Sequence, residues 1–370
     1  MFPPSLYDYV TKDLGKSMII VLNKIDLVPS SLVLAWQKYF QTKYKSIHVV
    51  LFTSCPSYNL YGKQNTSKGL KIRRRRGRPH MATEGAQQIF KACKLIAKDA
   101  VDLNSWDRKI TEEANLRPSL QGEEDDCDTC IAEQTHEEEK DFDFEEHVLY
   151  KNGVLTIGCI GFPNVGKSSL MNALMGRKVV SVSKTPGHTK YFQTIFLTNT
   201  VRLCDCPGLV FPSGTPRKIQ VLMGGYPIAQ LREPFASLRF LCERLDLPNI
   251  LDVDHPEGAN REWTPFDICD AWALKRGFLT AKAARPDTFR AANNILRMAL
   301  DGKLTLCLKP IGYTENIQKW ENHPDIAEVK RIQALLEVEP NDYNDVMPSF
   351  SETETDHGKL IGSLFKYIIF

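Results

Sequence analysis

An α/β fold, with a mostly parallel sheet, helices on both faces and a smaller helical domain after it, is what this sequence predicts. Three observations predict it. Short apolar runs ending at polar turns recur at 18–22, 47–52 and 155–161 and read as buried parallel strands. Helical spacing of apolar residues fills the stretches that follow them. Beyond Pro212 the strand signals stop and only helical patterns remain.

Taken in order, Met18–Leu22 (MIIVL) is the first strand and Ser30–Tyr44 the first clear helix, with Leu34, Trp36 and Tyr39 among its apolar positions. Ile47–Phe52 is a second strand. A helix from Thr83 to Ala100 follows, with Ile89, Cys93, Ile96 and Ala97 on one face. Between strand and helix lies a basic insert, 56–81, containing KGLKIRRRRGRP, which suits a nuclear-import signal or an RNA-phosphate contact. Residues 101–147, rich in Glu and Asp from about Asn115, bury too little apolar surface to fold alone and read as a disordered linker. Leu155–Gly161 is the next strand, a helix begins near Lys167, and Phe192–Leu197 pairs with Val201–Cys204. The helical domain covers 213–345, and 346–370 is a tail. On this reading 1–100 and 148–212 are the two parts of one α/β domain.

Composition bounds the function. The 370 residues are 42% hydrophobic and 25% charged, which is ordinary for a globular chain, and the formal net charge of +2 favours no partner by itself. Ten cysteines show no framework spacing, as expected of free thiols in a reducing compartment. The one CxxC, Cys127 and Cys130, has no second pair to complete a zinc site. No signal peptide opens the chain and no apolar run spans a bilayer, so the expectation is an intracellular chain with no membrane partner.

The chemistry sits in three motifs. GFPNVGKSS, Gly161–Ser169, fits GxxxxGK[ST] between a buried strand and a helix. Its backbone N–H groups and the helix N-terminus would face phosphates. Lys167 would reach the β- and γ-phosphates, and Ser168 would bind Mg²⁺. DCPGL, Asp205–Leu209, ends a strand downstream: Asp205 would hold Mg²⁺ and the Gly208 N–H would meet the γ-phosphate. NKID, Asn23–Asp26, reads the base. The Asp26 carboxylate accepts from the guanine N1–H and 2-amino group, a donor pair adenine lacks; Asn23 bonds the base edge and ties to the phosphate loop, and the stem of Lys24 lies on the ring. In FTSC, the Ser54 and Cys55 amides would meet the guanine O6. The nucleotide-binding set is therefore Asn23, Lys24, Ile25, Asp26, Ser54, Cys55, Gly161, Phe162, Pro163, Asn164, Val165, Gly166, Lys167, Ser168, Ser169, Asp205, Cys206, Pro207, Gly208 and Leu209, with GTP or GDP and Mg²⁺ as ligands.

NKIDLVP, GFPNVGKSS, TPGHTK and DCPGL, in that order, resemble the circularly permuted GTPases of the YlqF/YawG family. The resemblance covers about residues 10–345. It implies a permuted Ras-like P-loop domain, slow GTP hydrolysis and a switch role in ribosome assembly, with a pre-ribosomal particle or its RNA as partner and a nuclear or nucleolar location. It gives Thr189 of TPGHTK the role of switch threonine and Mg²⁺ ligand, ahead of Thr185. Asn164 matches the asparagine of GTPases that use K⁺ as a fixed charge, so K⁺ joins the candidate cofactors. Lys167, Asn164, Thr189 and Gly208 form the catalytic set. Leu209 stands where Ras-like proteins carry a water-orienting glutamine, and it cannot polarise water. A GTP-binding scaffold with negligible turnover is accordingly an alternative.

The chain departs from the family at its start, where the strand preceding MFPPSLYDYVTKDLGK is lacking. By Ras-like topology that strand lies between the phosphate-loop strand and the NKID strand. The expectation is an open groove there, or its filling by the tail Ser363–Phe370, which is apolar and β-prone. A form defective in nucleotide binding is the corresponding alternative.

Overall fold

The computed structural model describes residues 2–54, 83–116, 149–182, 189, 191–209, 214–258, 261–281, 284–333 and 366–369. The basic insert and the acidic run from 117 onward lie outside them.

After a short N-terminal helix α1 (Pro4–Asp8), strand β1 (Ile19–Asn23) is buried at every position. Its side chains alternate between two cores. Ile19 and Val21 pack with Val50, Phe52 and α3 (Thr83–Ala97), whereas Ile20 and Leu22 pack with α2 (Ser30–Lys43). Helices thus cover both faces of β1, and for this reason IIVL carries no polar alternation. Each such side chain contributes about 2 kcal/mol on full burial. Trp36 and Phe40 on α2, and Ile89, Phe90 and Cys93 on α3, supply the covering surfaces. β2 (His48–Leu51) pairs parallel to β1, Ile19 opposite His48 through Leu22 opposite Leu51. Gly85 of α3 lies flat on the Phe52 ring, where a Cβ would run into the aromatic carbons.

The linker assignment fails at its beginning. Residues 104–116 form helix α4 (Asn104–Leu116), and Trp106 and Ile110, one turn apart, are both fully buried in the core beneath α3. Two large apolar side chains at i and i+4 outweigh the polar residues around them.

In the second part, β3 (Leu155–Cys159) precedes helix α5 (Lys167–Met175), followed by β4 (Gln193–Thr198) and β5 (Val201–Asp205). The order β3-β5-β4 makes β3 parallel and β4 antiparallel to β5. Here burial alternates: Leu155, Ile157, Cys159, Val201, Leu203 and Asp205 face inward, while Thr156 and Phe196 are exposed. On that outer face Thr156 accepts from the Arg202 guanidinium at 3.1 Å.

The groove beside β1 is filled by the tail. β6 (Lys366–Ile369) pairs antiparallel to β1 on the edge opposite β2, with Ile20 opposite Ile369 and Asn23 opposite Lys366. β3 lies beside β6 without ladder hydrogen bonds, so the described strands form two three-stranded sheets, and β1 does not pair with β3. The tail satisfies β1 backbone groups that would otherwise be buried and unpaired.

Helices α6 (Arg217–Leu222), α7 (Phe235–Cys242), α8 (Leu247–Leu251), α9 (Pro265–Arg276) and α10 (Thr288–Leu300) enclose a core of their own around Leu238, Leu241, Trp272 and Ile295. Pro234 stands at the N-terminus of α7. α9 opens on a Thr264–Asp267 capping box and closes at Gly277, φ +66°. The chain then returns to α2 through α11 (Ile317–Glu321) and α12 (Ile326–Ile332). Trp36 donates to the Leu308 carbonyl at 2.9 Å, Tyr313 and Ser31 hydroxyls meet at 2.9 Å, and Lys38 pairs with Asp325.

Candidate functional site

The NKID motif and the GFPNVGKSS loop, 140 residues apart in sequence, are tied directly together. Asn23 is 1% exposed; its Nδ2 donates to the Val165 carbonyl at 3.0 Å and its Oδ1 accepts from the Lys24 backbone N–H at 2.8 Å. Lys24, held at φ +60°, donates through Nζ to the Asn164 carbonyl at 3.2 Å. The loop allows this approach because position 166 is glycine. Its φ is +100°, and a Cβ there would sit 2.6 Å from Asn23 Nδ2. Asp26 is buried, its Oδ1 accepting from the Thr53 hydroxyl at 2.9 Å. That bond orients the carboxylate; it comes from the FTSC segment, at a residue to which the sequence assigned no role.

At the phosphate end, Lys167 is buried at the start of α5 and its Nζ donates to the Gly161 and Phe162 carbonyls, both at 3.0 Å. Burial lowers its pKa, with Cys206 and Asp205 acting in the opposite direction. Ser168 donates to Asp205 Oδ2 at 2.7 Å. Burial raises the Asp205 carboxyl above the usual range, against the Ser168 hydrogen bond and Lys167, which lower it. Asp205 Oδ1 is buried and has no hydrogen-bond partner among the described residues. A hydroxyl and a carboxylate in contact, with one carboxylate oxygen unsatisfied in a buried position, fit a hard divalent cation such as Mg²⁺.

The DxxG turn closes on the phosphate loop. The Leu209 N–H donates to the Gly161 carbonyl at 3.0 Å, and a Cβ on Gly208 would stand 2.8 Å from the Pro163 backbone, so only glycine fits. Cys206 is turned inward, donating to the Cys159 carbonyl at 2.7 Å, and burial pushes its thiol up to about 11.

The remaining residues of the three motifs divide into side-chain and backbone roles. Ile25 and Val165 are buried in the apolar cores, so only their backbones are available to a ligand. Phe162, Pro163, Asn164, Ser169 and Pro207 are half-buried along the loops, and the Leu209 side chain points outward at 43% exposure. Ser54 Oγ, beside Thr53, is buried without a hydrogen-bond partner among the described residues. Thr189 is half-buried, and among the described residues no hydrogen bond joins it to Ser168 or Asp205. Cys55 and Thr185 lie outside the described residues.

The fold is a mixed α/β one in which the NKID motif precedes the phosphate-loop and DxxG motifs along the chain. Residues 156–235 match the family described as 50S ribosome-binding GTPase. The chain as a whole is similar to guanine nucleotide-binding protein-like 1: 50% identical to the Homo sapiens and Macaca fascicularis proteins over 344 residues, which is 90% of this chain and 56% of each relative. It is 28% identical over 372 residues to the Mus musculus Large subunit GTPase 1 homolog, covering 89% of this chain and 56% of that one. The chain thus spans about half the length of the curated relatives it matches. GNP-bound YlqF from T. maritima aligns over 77% of both chains at 16% identity with a TM-score of 0.38, too loose a superposition to argue from. No helix among the described residues is long and apolar enough to cross a membrane.

Proposed function

We propose that this chain binds guanine nucleotide across the junction of Asn23–Asp26 and Gly161–Ser168 and hydrolyses GTP to GDP and phosphate as a nucleotide-dependent switch. The observation that carries this reading is the pair of bonds from Asn23 and Lys24 to the phosphate-loop carbonyls. They fix the distance between a base reader and a phosphate cradle, which is what recognition of one whole nucleotide requires.

In this reading Asp26, oriented by Thr53, accepts from the guanine N1–H and 2-amino group. The Ser54 amide faces the O6, and the loop amides cradle the phosphates. Lys167 leaves the Gly161 and Phe162 carbonyls for the β- and γ-phosphate oxygens, and the phosphate charge offsets the desolvation that lowers its pKa. Ser168, Asp205 and Thr189 would hold Mg²⁺, which when bound would supply positive charge against the phosphates. A water oxygen attacks the γ-phosphorus, the bond to the GDP oxygen breaks, and phosphate leaves with the water proton. The Gly208 N–H stabilises the transferring group.

Leu209 points outward and has no polar atom beyond its backbone, which supports slow turnover. It equally favours a second reading, a GTP-binding scaffold with negligible hydrolysis. The family description refers to the ribosome and the name of the mouse relative to a large subunit, which supports a pre-ribosomal particle or its RNA as partner, while the basic insert suits a nuclear or nucleolar location. Arg73–Arg76 of the basic insert are the proposed phosphate contacts.

Multiple-turnover phosphate release separates the two readings. Hydrolysis is expected to be slow for the isolated chain, faster with ribosomal particles, and faster in K⁺ than in Na⁺ at equal ionic strength, the salt difference being lost in Asn164→Ala. No turnover above buffer under any of these conditions would leave the scaffold; equal rates in the two salts would remove K⁺.

A further inference from the structure

Gln333, directly after α12, is 3% exposed and satisfies all of its side chain on the loop that carries Asp26. Its Nε2 donates to the Ile25 carbonyl at 2.6 Å and to the Val28 carbonyl at 2.8 Å; its Oε1 accepts from the Ser30 hydroxyl at 2.6 Å. These three bonds bracket Asp26 from both sides, beginning at the residue before it and reaching Val28 and Ser30 after it. The same helix reaches the opposite wall of the base site. Glu328 accepts from Gln88 Nε2 at 3.1 Å, and Gln88 Oε1 accepts from the Leu51 N–H at 3.0 Å, just ahead of Thr53. Thr53 in turn holds Asp26. α12 and the residue that follows it, about 300 residues downstream of Asn23–Asp26, are thus bonded directly to the loop carrying Asp26 and, through Gln88 of α3, to the end of β2 just ahead of Thr53.

We propose that Gln333 is a positioning residue for guanine recognition, fixing the turn Ile25–Val28 so that the Asp26 carboxylate meets the N1–H and 2-amino group in register. This rests on the guanine reading of Asp26 given above. An amide suits the task and a carboxylate does not, because Gln333 must present an N–H pair to two carbonyl oxygens and an acceptor to a hydroxyl at once. The consequence is that the segment around α12 sets how strictly the site discriminates among purines, without touching the nucleotide.

The test compares GDP with IDP, whose base lacks the 2-amino group, by equilibrium titration of the full chain and of Gln333→Met, which keeps the volume and removes all three bonds. Ser30→Ala, which removes one bond, is the milder variant. The parent is expected to bind GDP more tightly than IDP. In Gln333→Met, GDP binding is expected to weaken about tenfold and IDP binding, which keeps only the N1–H contact to Asp26, by about threefold, so the preference shrinks; Ser30→Ala moves it the same way by a smaller factor. A merely structural role lowers both affinities equally. Equal losses for the two nucleotides, or an unchanged preference in both variants, would overturn the proposal, and Ser30→Ala decides it alone if Gln333→Met does not fold. A parent chain that binds GDP and IDP alike removes the guanine reading itself. A parent that prefers GDP beside variants with the same preference removes only the role of Gln333.

Discussion

Lys167 shows how much of the site rests on single atoms. Its ammonium is buried and held by two carbonyls of its own loop, a position from which phosphate oxygens can draw it without a large movement. Replacing it by Ala removes a charge-assisted contact of about 3 kcal/mol, so GTP affinity is expected to fall at least about a hundredfold. Ser168→Ala leaves the loop intact but removes the hydroxyl that meets Asp205 Oδ2. Its effect should be larger in Mg²⁺ than in EDTA. Titration of both variants with and without Mg²⁺ checks this. A Lys167→Ala chain as tight as its parent contradicts the phosphate-loop assignment, and a Ser168→Ala deficit identical in EDTA contradicts the metal role. The motif was legible in sequence because its glycines and lysine fall at fixed spacing between a buried strand and a helix, both of which the structure contains. The role of the Thr53 hydroxyl was not, since FTSC points only to the Ser54 and Cys55 amides; only the fold brings that hydroxyl to Asp26.

Among the elements, those whose signal is local were the readable ones. β1 and α2 begin and end within a few residues of the positions that apolar runs and helical spacing indicate. α4 was missed because Trp106 and Ile110 stand among charged neighbours, and their value comes from a core contributed by α3. The tail is the sharper case. Its apolar character pointed to a strand, but the antiparallel sense and its pairing to β1 alone follow from the geometry of the groove. Removing Ser363–Phe370 re-exposes one edge of β1, so the melting temperature is expected to drop by several degrees in a chain of this size. Thermal unfolding of the shortened chain beside the parent measures this; an unchanged midpoint would mean that β1 does not need the pairing.

On the scale of the whole molecule, chain order and spatial order diverge. The base reader precedes the phosphate loop by 140 residues, yet Asn23 and Gly166 approach so closely that no side chain fits between them. The permutation was visible from motif order. What ties the C-terminal helices to the first half was not, because Gln333, Tyr313 and Leu308 act through a few hydrogen bonds across some 270 to 310 residues of sequence. The central claim is that one guanine nucleotide spans this junction, and the most direct measurement is titration of GDP and xanthosine diphosphate into the parent chain and Asp26→Asn. An amide at position 26 can donate to the xanthine 2-oxo group where a carboxylate only accepts. The parent is predicted to prefer GDP and Asp26→Asn to prefer the xanthine nucleotide. A variant that keeps the parent's preference for GDP would contradict the account.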